Sequence, residues 1–89
     1  MKPWTITIDD ESWTDEKVTV AHVIAVTELV GDEWAAYSPW NGPKVLAAWM
    51  AVLVASRTAD LDAAVQKIYA LPIATFDVAL TEREPTEPA

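Results

Sequence analysis

The sequence predicts a mainly α chain, a small helical domain that carries an N-terminal β-strand pair. Three observations predict it. Apolar and polar residues alternate over Trp4-Thr5-Ile6-Thr7-Ile8, the period of a strand with one buried face. Two later segments, each preceded by a capping residue, repeat apolar positions at helical spacing. Between them, residues 45–55 are apolar without interruption and follow a proline suited to the first position of a helix.

The strand runs into the polar segment Asp9-Asp10-Glu11-Ser12, and residues 13–17 are expected to return as its partner. That turn contains no glycine and the returning segment is charged, both unusual in a hairpin. Thr19 then precedes Val20-Ala21-His22-Val23-Ile24-Ala25-Val26-Thr27-Glu28-Leu29-Val30, and Gly31 follows. A hydroxyl N-cap and a glycine just past the end bracket a helix. Val20, Val23, Ile24 and Thr27 share one face of it, and His22 and Glu28 are expected to point elsewhere. Residues 32–42 read as irregular, since Pro39 disfavours helical geometry at Ser38 and Asn41-Gly42 marks a turn.

From Pro43 to about Arg57 the chain predicts a helix that is apolar all round. Such a helix is buried on most sides. In so short a chain it either threads the middle of the domain or is covered partly by a second copy, so self-association is expected. Asp60 caps the next helix, over residues 61–71, where Leu61, Ala64, Val65 and Ile68 fall at i, i+3, i+4 and i+7. Pro72 ends it. Thr75 caps a short last helix in which Phe76 and Leu80 lie four apart. The folded domain is expected to cover residues 1–81. Residues 82–89, acidic and carrying Pro85 and Pro88, read as a disordered tail.

Composition narrows the function classes. A length of 89 residues leaves room for one domain, and 52% hydrophobic content is more than a disordered polymer carries. The absence of cysteine excludes disulfides and thiolate zinc sites and fits a reducing compartment. The formal charge of −8 repels phosphate backbones and anionic lipid surfaces, so neither nucleic acid nor a membrane is expected as partner. The first residues lack the apolar core of a signal peptide. The longest apolar run is well short of the roughly 20 residues that span a bilayer.

No constellation of side chains points to catalysis. His22 is the one histidine, and a general base needs a positioned nucleophile or acid that nothing nearby supplies. The paired carboxylates Asp9-Asp10, Asp15-Glu16 and Asp32-Glu33, with Asp60 and Asp62, lack the spacing of a calcium loop. They stand in turns and at helix starts, where the helix dipole and solvent favour acids. Two glycines cannot make a phosphate-binding loop. No enzyme activity, metal or cofactor is expected.

The aromatics are the more informative set. Five tryptophans in 89 residues is a heavy load. Trp4, Trp13 and Trp49 suit the core. Trp34, Tyr37 and Trp40 lie in the irregular segment and allow two readings. They are anchors for a partner, because Trp and Tyr dominate interface hot spots, or they fold back as a lid over the core.

The order of elements resembles the tail assembly chaperones of long-tailed, lambda-type bacteriophages. The resemblance is carried by the Trp4–Ile8 strand, Thr19-Val20-Ala21-His22-Val23, Val30-Gly31-Asp32-Glu33-Trp34, Ser38-Pro39-Trp40-Asn41-Gly42-Pro43 before the long apolar helix, Asp60-Leu61-Asp62-Ala63-Ala64-Val65, and Leu71-Pro72 before Phe76-Asp77-Val78-Ala79-Leu80. It implies a non-catalytic protein of the host cytoplasm that binds the tape measure protein and keeps it soluble. It further implies help in recruiting the tail tube protein, absence from the mature virion and, in many members, a longer frameshifted product. The competing expectation is an acidic mimic of DNA that blocks a basic protein, which requires carboxylates arrayed on one face.

Overall fold

The structure is a computed structural model that describes residues 2–83. Its elements are β1 (Trp4–Ile8), β2 (Glu11–Thr14), α1 (Val20–Val30), α2 (Glu33–Ala36), α3 (Pro43–Thr58), α4 (Leu61–Tyr69), α5 (Ile73–Ala79) and β3 (Leu80–Glu82). The chain is mainly α, as its periodicities predict, with the strand pair at its start.

The strand pair is tighter than its sequence promises. Ile8 pairs with Glu11, so the connection is only Asp9 and Asp10. Both have positive φ, 48° and 69°. Two consecutive residues of this kind make the hairpin turn whose twist matches the strands. Aspartate tolerates the conformation because its short polar side chain bonds locally. The returning strand stops at Thr14, and residues 15–17 wind into a single 3-10 turn.

A third strand was not expected. β3 pairs antiparallel with β1 on the side away from β2, placing Trp4 opposite Glu82 and Ile6 opposite Leu80. Leu80 therefore leaves the last helix, and that helix begins after Pro72 with no side-chain cap from Thr75. The boundary drawn at residue 81 moves accordingly. Glu82 lies in the sheet, and Arg83 donates its backbone N–H to the Pro3 carbonyl, 3.4 Å. The rest of the expected disordered tail, residues 84–89, lies outside the described residues.

Helices α1 and α4 start where their capping residues stand, and α4 stops at Tyr69, short of the expected end at residue 71. Asp60 Oδ1 accepts the Ala63 N–H at 3.0 Å, and Gly31 closes α1 in the left-handed conformation while donating to the Thr27 carbonyl at 2.7 Å. At the start of α1, Thr19 Oγ1 accepts the His22 N–H at 3.4 Å and His22 Nδ1 accepts the Thr19 N–H at 3.1 Å. The single histidine thus occupies the position where a capping box ordinarily has Glu or Gln.

Helix α3 threads the middle. Residues 45–53 are all buried, against Trp4, Ile6, Val26, Ala64, Ile68 and Ala79 from the surrounding elements. Trp4 and Trp49 meet edge to face, with ring centroids 5.6 Å apart. Such pairs contribute about 0.5–1.5 kcal/mol beyond the area they bury. The Trp49 indole N–H donates to the Ala36 carbonyl at 2.9 Å, which fastens α2 to the core. A single chain therefore covers the apolar helix, and its burial does not call for a second copy. Among the described residues no helix is long and apolar enough to cross a membrane.

Candidate partner-binding surface

The three aromatics singled out in the sequence separate in space. Asp32 begins α2, its Oδ1 accepting the N–H groups of Trp34 at 2.9 Å and Ala35 at 3.2 Å. This one-turn helix carries Ala36 into the core and turns Trp34 and Tyr37 outward. Trp34 is 88% exposed and Tyr37 55%. Trp40 does the opposite. It is half-buried against the core, its backbone N–H bonds Ser38 Oγ at 3.3 Å, and Lys2 Nζ stands 4.2 Å from the ring centroid. Asn41 donates to the Ala35 carbonyl at 3.0 Å and closes the segment on itself. The segment divides: Trp40 covers the core, as a lid would, and Trp34 and Tyr37 face solvent.

Two residues of the apolar face that the sequence gives α1 are exposed as well. Val20 is 74% exposed and Ile24 55%, whereas Val26 is the residue of α1 that is fully buried. The helix is apolar on nearly every side, so spacing alone does not say which side meets α3. One signal was available. Val20, Ile24 and Glu28 form a single i, i+4, i+8 stripe, and a stripe ending in a carboxylate faces water. Glu28 does not point away from that stripe. With Val20, Val23, Ile24, Thr27 and Glu33 it lines a groove of about 300 Å³ between α1 and α2. Glu33 also lines a second hollow, of about 270 Å³, with Trp34 and Tyr37. The two hollows meet at Glu33, so exposed apolar side chains of α1 and of α2 lie on either side of a carboxylate.

Elsewhere most of the described acids are engaged. Asp9 pairs with Lys67 at 2.9 Å, Glu11 with Arg57 at 3.1 Å, Asp15 with Arg83 at 2.7 Å and Glu82 with Lys2 at 3.9 Å. Asp32 and Asp60 cap helices. A DNA mimic needs an array of unpaired carboxylates, and these side chains are spent on joining elements of the fold. The Arg83 guanidinium bonds Asp15 directly and holds its carboxyl below the usual range, and the Trp4 N–H, 3.2 Å from Oδ1, adds to this against the opposing effect of burial. No group of three potential metal-ligating side chains gathers among the described residues.

A second apolar groove, of about 350 Å³, opens between the start of α3 and the α4–α5 corner, lined among others by Ala47, Tyr69, Ile73 and Phe76. Its one charged neighbour is Lys44. No family model matches the chain, and no characterised protein or solved structure matches it. The fold and surface alone thus define the class, a small acidic helical domain with a solvent-facing aromatic and aliphatic surface.

Proposed function

We propose that this chain is a non-catalytic assembly chaperone of the phage tail type, which binds the tape measure protein, keeps it soluble and helps the tail tube protein assemble around it. The observation that carries the reading is the exposure of Trp34 and Tyr37, with Val20 and Ile24 on the preceding helix, in a chain of charge −8. Large apolar side chains held outward by a capped helix cost free energy in water until something covers them. A long helical protein that exposes apolar faces before its tube closes is a partner of the matching kind. The net charge keeps a complex of two apolar surfaces dispersed. The likeness in element order to the lambda-type tail assembly chaperones supplies the identity of the partner. By the same reading the protein works in the host cytoplasm and leaves before the virion matures.

Co-expression tests it. The tape measure protein of the same genome is expected to be soluble with this chain and to precipitate without it, and Trp34→Ala with Tyr37→Ala is expected to weaken the rescue while the circular dichroism spectrum is unchanged. Failure of the wild-type chain to rescue or co-purify the tape measure protein overturns the reading.

A further inference from the structure

We infer that the groove between α1 and α2 takes a basic amphipathic helix, one whose apolar stripe is flanked by Lys or Arg, and that Glu28 and Glu33 select it. The inference rests on the proposed chaperone reading and deepens it by naming the chemistry of the segment bound. Charge complementarity carries it. Between residues 18 and 43 the sequence holds the acids Glu28, Asp32 and Glu33 and no Lys or Arg. Asp32 is committed to the α2 cap. Glu28 and Glu33 are exposed, line the groove with Val20 and Ile24, and form no ion pair among the described residues. In the sheet region Asp9, Glu11, Asp15, Glu16 and Glu82 pair with Lys or Arg, whereas the two in the groove, like Asp10, Asp62 and Asp77, form no ion pair among the described residues.

The floor is apolar and the rim is negative. An α-helix seated there buries its i, i+3, i+4 and i+7 side chains against Val20, Val23 and Ile24, and its flanking cations reach the rim. From Val20 to Glu28 the stripe is about 12 Å long at 1.5 Å per residue, which fits roughly two turns of a partner helix. A second copy of this chain suits the site poorly. A two-fold contact would set Glu28 and Glu33 against their own counterparts with no cation between them.

The test titrates the full chain calorimetrically with two synthetic helical peptides of about 18 residues, or five turns. They share one Leu stripe, and one carries Lys on its flanks and the other Glu. The Lys-flanked peptide is expected to bind at least about tenfold more tightly. Glu28→Gln with Glu33→Gln is expected to weaken it roughly five- to tenfold, the effect of losing two ion pairs at a partly desolvated rim. Asp10→Asn with Asp77→Asn removes the same charge far from the groove and is expected to change binding less than about twofold, and Ile24→Ser is expected to abolish it. Equal loss in both double variants overturns the inference in favour of net-charge attraction. Equal binding of both peptides, or of neither, also overturns it. So does sedimentation showing a dimer that Ile24→Ser dissociates, because the occupant is then a second copy. Rescue of the tape measure protein is measured in parallel. Rescue unchanged by Glu28→Gln with Glu33→Gln removes the inference and leaves the chaperone reading standing. Selective peptide binding without rescue removes the chaperone reading alone.

Discussion

Arg83 reaches back across the sheet to Asp15, its Nε donating to Oδ1 at 2.7 Å and its Nη2 to Oδ2 at 3.3 Å. Sixty-eight residues separate the two along the chain. The fork ties the end of β3 to the turn after β2, so both edges of the sheet are joined across β1. Asp15 also accepts the Trp4 N–H, which sets the start of β1 against the same carboxylate. Two-point contact between a planar guanidinium and a carboxylate fixes direction as well as distance.

The clamp gives stability a dependence on acid. Arg83 holds the Asp15 carboxyl below its ordinary value of 3.8, so the folded chain binds that proton less tightly than the unfolded chain does. The contribution is therefore fully present above that ordinary value and is lost as pH falls through the lowered one. Thermal melts of wild type and Asp15→Asn from pH 7 down to pH 2 are expected to differ most at neutral pH and to converge at the acid end. A constant gap across that range would show that Asp15 contributes nothing through its charge.

Deleting residues 82–89 removes Glu82 from its place opposite Trp4 and Arg83 from Asp15. The midpoint of thermal unfolding is expected to fall by roughly 4 °C or more, a typical shift for one lost interaction in a domain of this size. Arg83→Ala in the full chain is expected to reproduce most of it. A truncated chain as stable as wild type would mean that the folded unit ends at residue 81 after all.

In the core, Trp49 is fully buried and Leu53, one turn on, is 1% exposed. Leu53→Ala is expected to cost about 2–5 kcal/mol, the transfer energy of the lost carbons plus the cavity they leave. A near-neutral result in chemical denaturation would show that this face is free in the monomer.

The two outermost tryptophans are expected to separate in stability measurements. Trp34→Ala is expected to stay within about 0.5 kcal/mol of wild type, since its ring contacts mainly water. Trp40→Ala is expected to cost about 1–3 kcal/mol, because it uncovers part of the core and removes the ring under Lys2. Equal costs would contradict the division of the aromatics into a lid and a free surface.

Helix ends offer a paired test. Gly31 and Ala59 both occupy the left-handed position after a helix, with φ of 82° and 59°. A methyl group at Gly31 would meet nothing, so Gly31→Ala isolates backbone strain and is expected to cost about 1 kcal/mol. Ala59→Gly relieves the same strain and is expected to stabilise by about 0.5–1 kcal/mol. Denaturant midpoints moving in the same direction for both would overturn this account.

The sequence by itself determined the elements whose signals are local. Thr19 and Gly31 bracket α1, Pro43 starts α3, and Asp60 starts α4, because a cap or a proline acts within one turn of where it stands. The buried stripe of α4 was legible as well, since Ala64 and Ile68 fall on one face with polar residues opposite. Tertiary structure decided what no local signal carries. β3 exists because Leu80 and Glu82 find β1 more than seventy residues earlier, and an edge strand of three residues leaves almost no periodicity to read. The face that α1 turns inward was likewise undecided, because a helix apolar nearly all round has no preferred side until α3 is there to pack against. That choice buried Val26 and left Val20 and Ile24 in water, and so made the surface for which a function is proposed. The sequence placed the aromatic residues in the right segment. Which of them faced outward depended on the Asp32 cap and on the bond from Trp49 to Ala36, which together set the rotation of a single helical turn.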